Sequence, residues 1–301
     1  MILHGDACLE HHSKENNSEM NCIFGLFDVL GFTSFCENCD LRNAERVLKV
    51  MDDFEAEIPE ILLHGLDAKN NTPQDKIDLL KSRLKWLTFS DTIFVAMPLD
   101  LGAHPDAVKF NLIFFTILAA YINRRMFEIG LPVRGAVHIG DVLISKRCFA
   151  GKAIMDAHRL GGRCQLAATV VSDETHALFS RFFSEPKGYH FMYADSIIEC
   201  DVPTGTTQLS KSLLGNNSEK MKTLCWFFLE MGRMERFVVP TDLNSFVREK
   251  FMAHGKKLSG EKEIMKAVHT AKLFQDWKAT SNRQYRQQVA MTAGHVAGLS
   301  L

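Results

Sequence analysis

Two single aspartates stand inside apolar, strand-like runs. Asp28 lies in Ile23-Phe24-Gly25-Leu26-Phe27-Asp28-Val29-Leu30-Gly31-Phe32-Thr33, and Asp91 lies in Leu87-Thr88-Phe89-Ser90-Asp91-Thr92-Ile93-Phe94-Val95-Ala96. A carboxylate taken into an apolar strand is costly unless something compensates its charge. One compensation is local: each aspartate closes a strand, with Gly31 supplying a tight turn after the first. The other is a cation held between the two carboxylates, since hard oxygen donors suit a divalent ion. Spacing alone leaves both readings open. Arg134 is a third charged residue in an otherwise apolar run, Leu131 to Ile139. It is either the partner of a carboxylate or a contact to a bound anion. His138, in the same run, reads as a hydrogen-bonded structural histidine. Cys36-Glu37-Asn38-Cys39 is one C-x-x-C pair with no second pair after it, so ordinary reduced thiols are expected rather than zinc.

Elements must bring these residues together. Residues 22–30 read as a first strand, with Thr33 or Ser34 capping a helix whose apolar face runs through Leu41, Val47, Leu48, Met51, Phe54 and Ile58. A polar stretch from Leu66 to Asp75 reads as loop, and a short helix is expected from Gln74 to Arg83. Residues 84–97 read as a hairpin that presents Asp91 at its tip. His104-Pro105 starts a long helix and Gly130 ends it. Residues 131–139 form a strand that turns at Gly140-Asp141 into Val142 to Ser145, a second hairpin. A helix over 152–164, a strand from Ala168 to Val171 and a helix opened by Ser172-Asp173-Glu174 follow. Further on, strands are expected from Tyr189 to Cys200 and from Arg236 to Pro240. Residues 203–222 read as a polar segment, residues 261–277 as a helix, and the last residues as loose. Long helices mixed with antiparallel hairpins make the chain α+β.

Composition narrows the class. The chain has 301 residues, 46% of them hydrophobic, with 35 Lys and Arg against 36 Asp and Glu. That is ordinary globular composition, and its near-neutral charge argues against a nucleic-acid partner. A single-strand RNA binder with a four-stranded sheet would need exposed aromatics and a basic surface. No signal peptide stands at the N-terminus, and Val108 to Tyr121 reads as too short to span a membrane, so a cytoplasmic protein without membrane contact is expected. The 22 phenylalanines suggest a packed core or a self-association surface. There is no G-x-G-x-x-G after the first strand and no G-x-x-x-x-G-K-[ST].

Four ordered blocks carry a resemblance. Phe27-Asp28-Val29-Leu30-Gly31-Phe32-Thr33, Ser90-Asp91-Thr92, Leu131-Pro132-Val133-Arg134-Gly135-Ala136-Val137-His138-Ile139-Gly140-Asp141 and Gly151-Lys152-Ala153-Ile154-Met155-Asp156-Ala157-His158-Arg159-Leu160 resemble the catalytic domain of class III nucleotidyl cyclases across about residues 22–185. The phrases around Phe27, Ser90, Val133 and Phe149-Ala150-Gly151-Lys152, with Val202-Pro203 and Thr223-Leu224-Cys225-Trp226, are most similar to the bacterial pyrimidine cyclases of Pycsar anti-phage defence.

The resemblance implies a ferredoxin-like antiparallel sheet with packed helices over residues 21–200. A flexible arm would precede it over 1–20, and a C-terminal extension over 201–301 would pack on it or be linked to it. It implies two divalent cations, Mg²⁺ or Mn²⁺, bridged by Asp28 and Asp91 with the Val29 carbonyl as a further ligand. Arg159 would stabilise charge on the α-phosphate. Phe32 and Thr33 would lie in a phosphate-cradling turn, and Lys152 and Arg134 would be further contacts to the substrate. The positions that read the base in purine cyclases fall at Leu87 and Cys148, and the transition-state asparagine falls at Met155. Leu87 makes no charged contact with a purine edge, which fits a pyrimidine. The implied activity is cyclisation of UTP to cyclic UMP in a homodimer with sites at the subunit interface, the product signalling to a separate effector. Cyclisation of CTP, and a cyclase fold that has lost catalysis through Met155, are the alternatives.

Overall fold

The computed structural model describes residues 18–38, 42, 45, 47–54, 57, 74–145, 148–183, 196–204, 218–226, 241–252, 263–277 and 279–280. Cys39, residues 66–73 of the loop expected at 66–75, residues 189–195 of the strand expected at 189–200, the strand expected at 236–240 and the terminal segments lie outside these residues. Strand β1 (Ser18–Val29) begins earlier than the apolar run suggests. It is followed by α1 (Phe32–Asn38), helical residues 47–54 (α2), α3 (Gln74–Arg83), β2 (Lys85–Phe89), β3 (Thr92–Pro98) and α4 (Pro105–Glu128). Then come β4 (Val133–Ile144), β5 (Phe149–Ala150), α5 (Lys152–Arg163), β6 (Thr169–Val171), α6 (Asp173–Phe182), β7 (Ile197–Pro203) and β8 (Ser218–Leu224). Two further helices, α7 (Leu243–Met252) and α8 (residues 263–277), complete the described chain.

The strands form one sheet in the order β2-β3-β1-β4-β6-β8-β7, with β5 paired to β4. Every pairing is antiparallel except β4 with β6, so the architecture is α+β. β1 is central, flanked by β3 and β4, and its residues Cys22 to Phe27 are buried on both faces. Packing on both sides therefore explains why its sequence is a continuous apolar run rather than an alternating one.

Four expectations need correction. Gly140 and Asp141 do not turn the chain: they stay in register with Cys22 and Asn21 of β1, and β4 runs unbroken to Ile144. The reversal comes later, where Ser145 N–H donates to the Cys148 carbonyl at 2.8 Å. Gly140 instead makes room for a helix, since a Cβ there would sit 2.6 Å from the Cβ of Ala153 on α5. Thr33 and Ser34 lie inside α1 rather than capping it, because the helix starts at Phe32 directly after Gly31 (φ +73°). Residues 203–222 are not wholly irregular, since Ser218 to Lys222 belong to β8. Finally, α4 has 24 residues and a mean hydropathy of 1.4 over its most apolar window, long and apolar enough to cross a membrane. Two-thirds of that window is buried against the rest of the protein, so the helix serves as core.

The C-terminal helices join the same core. Ile264, Ala267, Ala271 and Phe274 of α8 are fully buried, at the spacing of one helical face. Phe274 meets the ring of Trp226 edge-on at 6.1 Å. Truncating such an aromatic to alanine costs about 3–5 kcal/mol. The Thr270 hydroxyl accepts the Ala167 N–H at 2.8 Å and donates to the Lys266 carbonyl at 2.8 Å.

Candidate active site

The two aspartates converge. Asp28 is near the end of β1, and its Oδ1 accepts a hydrogen bond from the Thr92 hydroxyl of β3 at 2.9 Å. Asp91 lies in the two-residue turn between β2 and β3. Its carbonyl accepts the Val29 N–H at 2.8 Å, which ties the hairpin tip to the end of β1. Ser90 in that turn has φ +55°, a conformation an L-residue rarely takes and one that accumulates at functional turns. Arg134 of β4 stands in register opposite Asp28. Its Nε is buried and has no hydrogen-bond partner among the described residues.

These groups open on one cavity of about 500 Å³. Its walls include Asp28, Asp91, Val29, Arg134 and the turn carrying Gly31, Phe32 and Thr33. The positive φ of Gly31 turns the chain from β1 into α1, and this places the turn's backbone in the cavity wall. Three wall residues were not anticipated: Glu37 from α1, and Glu263 and Lys266 from α8. Glu37 carried a signal in its C-x-x-C surroundings, but one read only for zinc. Nothing in the sequence links α8 to β1, apart from a lysine set next to the buried stripe of an amphipathic helix.

The donor set fits divalent cations: two carboxylates and the Val29 backbone share one half-buried cavity, all of them hard oxygen donors. Among the described residues no group of three or more His, Cys, Asp or Glu side chains is arranged to hold a metal. The pair Asp28 and Asp91 would therefore need substrate oxygens or water to complete the coordination.

The second group of expected site residues is elsewhere. Lys152, Met155 and Arg159 lie on the outer side of α5, with the Lys152 and Arg159 side chains 90% and 70% exposed, and none of them lines the cavity. Asp156 accepts from Lys152 Nζ at 2.8 Å and from Arg159 Nη1 at 3.2 Å. The Lys152 hydrogen bond, with the charges of both cations, holds the Asp156 carboxyl below its usual range. Pairs this exposed are weak, so Arg159 is free to exchange Asp156 for a stronger anion. Leu87 is half-buried on β2, paired with Phe94, and Cys148 is exposed just before β5.

α5 is fixed against the sheet by glycines. A Cβ on Gly161 would lie 3.0 Å from the Gly135 carbonyl carbon, so helix and strand meet backbone to backbone. His138 on β4 is structural: its Nδ1 is 2.6 Å from the Ser172 hydroxyl that caps α6. Burial pushes its pKa down, against the opposing charges of Glu174 and Asp156.

No family model and no curated protein matches the sequence. Similar solved structures include an adenylate/guanylate cyclase/hydrolase from Silicibacter pomeroyi, at 16% identity and a TM-score of 0.34 over 69% of this chain and 96% of that one. Two structures of a bacterial light-regulated adenylyl cyclase align at 10% identity, with TM-scores of 0.38 and 0.39, over 80% of this chain. This chain spans 59% of their length. Likeness at this level is one of architecture and carries no statement about chemistry.

Proposed function

We propose that the protein is a nucleotide cyclase that converts UTP to 3′,5′-cyclic UMP and diphosphate. One observation carries this reading: Asp28 and Asp91, from separate elements, are tied by the Thr92 and Val29 hydrogen bonds to the rim of one cavity that also holds Arg134. In the reaction the ribose 3′-oxygen forms a bond to the α-phosphorus, the bond from that phosphorus to the β-phosphate oxygen breaks, and the hydroxyl proton is lost to solvent. Two divalent cations on the aspartates, Mg²⁺ or Mn²⁺, would activate the 3′-hydroxyl and neutralise the triphosphate. The chain's own residues position: Asp28 and Asp91 fix the metal sites, Arg134 faces the anionic chain, and the turn at Gly31 to Thr33 shapes the phosphate end of the cavity. Leu87, apolar where purine cyclases carry a charged base-reading group, supports a pyrimidine base. The product would act in the cytoplasm as a messenger for a separate effector, as the likeness to Pycsar cyclases suggests.

Arg159 does not line the cavity of its own chain. We infer that a second copy supplies it, so that the active unit is a homodimer. The exposed side chains Phe89 (75%), next to the Asp91 turn, and Met155 (52%), beside Arg159 on α5, are apolar surface that such an interface would cover.

The test is cyclisation of UTP, CTP, ATP and GTP separately, with Mg²⁺ and then Mn²⁺, the products being resolved by mass. The expected product is cyclic UMP, abolished in Asp28→Ala. Cyclic CMP instead would reassign the base, and a purine product would overturn the pyrimidine reading. A folded, metal-supplied dimer that turns over none of the four would overturn the enzyme reading in favour of a non-catalytic module.

A further inference from the structure

The cavity contains a cation from an unexpected source. Lys266 is 6% exposed and is the one buried lysine among the described residues. It is carried by α8, far along the chain from the strands that supply the two aspartates, yet it lines the same cavity as Asp28, Asp91 and Arg134. Its place on the helix is fixed by its neighbours. Ile264 and Ala267 on either side of it are fully buried, its carbonyl accepts the Thr270 hydroxyl, and that hydroxyl in turn accepts the Ala167 N–H. α8 also lies close to the turn after β1, since a Cβ on Gly31 would be 3.4 Å from Glu263 Cγ.

A buried ammonium is expensive unless anions surround it. Asp28, Asp91, Glu37 and Glu263 supply negative charge in the cavity. Divalent cations on the aspartates would add positive charge to a cavity that already holds Lys266 and Arg134, and a polyanion bound there would offset it. Arg134 points the same way, because its buried Nε is not engaged by any described carboxylate. Two cations in one cavity, one from β4 and one from α8, suit a chain of phosphates.

We propose that Lys266 binds the triphosphate chain of the nucleotide, so that α8 is a wall of the active site in the same subunit as Asp28 and Asp91. This rests on the nucleotide-cyclase reading for its ligand, but the test separates the two. The probe is inorganic tripolyphosphate with Mg²⁺, titrated calorimetrically into the full-length protein, and it is independent of the base. Wild type is expected to bind it, Lys266→Met to bind about tenfold or more weakly, and Lys266→Arg to stay within about threefold of wild type. Equal affinity of wild type and a folded Lys266→Met, or no binding by wild type, would overturn the proposal.

Should Lys266→Met fail to fold, Lys266→Gln, which keeps a polar end without the charge, takes its place in the same titration. Affinity equal to wild type in a folded Lys266→Gln overturns the assignment. A purely structural lysine would leave affinity untouched and change only melting. Lys266-dependent binding without turnover of any nucleotide would leave the anion site standing and sink the cyclase reading. Turnover with KM and kcat unchanged in Lys266→Met would do the reverse.

Discussion

Gly161 and Gly162 are neighbours in the last turn of α5, and alanine at each should act in opposite directions. Replacing a helical glycine with alanine at a compatible backbone conformation stabilises by about 0.4–1 kcal/mol, through the unfolded state. At Gly162 nothing among the described residues lies within 4 Å of the added Cβ, so that gain should appear in full. At Gly161 the Cβ would lie 3.0, 3.2 and 3.3 Å from the Gly135 carbonyl carbon, Gly135 Cα and Ala136 N. All three are backbone atoms of β4 and have no rotamer with which to retreat. Ordinary carbon contacts are about 3.5–4.0 Å, so α5 must lift from the sheet by roughly half an ångström. Overpacking of this kind costs about 1–3 kcal/mol, leaving Gly161→Ala destabilised by up to about 2.6 kcal/mol net. The two variants should therefore differ by about 1–3 kcal/mol, or about 2–5 °C in melting temperature for a chain of this length, measured by calorimetry and urea unfolding. Arg159 rides on the same helix, so Gly161→Ala should also depress turnover more than Gly162→Ala does. Equal shifts of the same sign in the two variants would refute the backbone contact between α5 and β4.

Thiol chemistry and pH give two further checks. Burial, with the Asp141 charge, pushes the Cys22 thiol up to about 12, and burial pushes Cys164 up to about 11. At pH 8 Cys22 is then a thiolate in roughly one molecule in ten thousand. The exposed Cys36 and Cys148 should alkylate first in the native protein, and comparable labelling of Cys22 or Cys164 would contradict their burial. His138 is held neutral by burial, so its folded pKa lies below the unfolded value. Between those two values the unfolded chain binds more protons, so stability is full above about pH 6.5 and falls as pH drops toward the folded pKa. His176 is shifted the same way, chiefly by burial, so the His138 share is read as the part of the decline removed in His138→Gln. An unchanged pH profile in that variant would contradict it.

The parts of the site that were legible in the sequence are those where charge interrupts a strand. Asp28, Asp91 and Arg134 stand out because a central strand tolerates few polar residues, and the pairing of β1 with β3 and β4 then brings them together. The turn at Gly140-Asp141 was misread because a glycine can serve close packing as well as reversal, and the sequence does not say which. β8 was missed because Ser218, Glu219 and Lys220 are exposed, so its first half has no apolar signature. Lys266 and Glu263 were illegible for another reason. Their place in the cavity depends on how α8 docks, through Thr270 and Phe274, onto elements remote in the chain. Arg159 was legible as a residue but not as a location, since its own chain leaves it in solvent.

The composite site is the central claim, and mixing two inactive variants tests it most directly. Asp91→Ala removes a metal carboxylate, and Arg159→Ala removes the arginine assigned to the opposite subunit. Each homodimer should be inactive toward UTP. Co-refolded in equal amounts, half the dimers are mixed, and each mixed dimer keeps one site with both groups intact, so about a quarter of wild-type activity should return. No recovery, with both variants folded and exchanging subunits, would contradict the account.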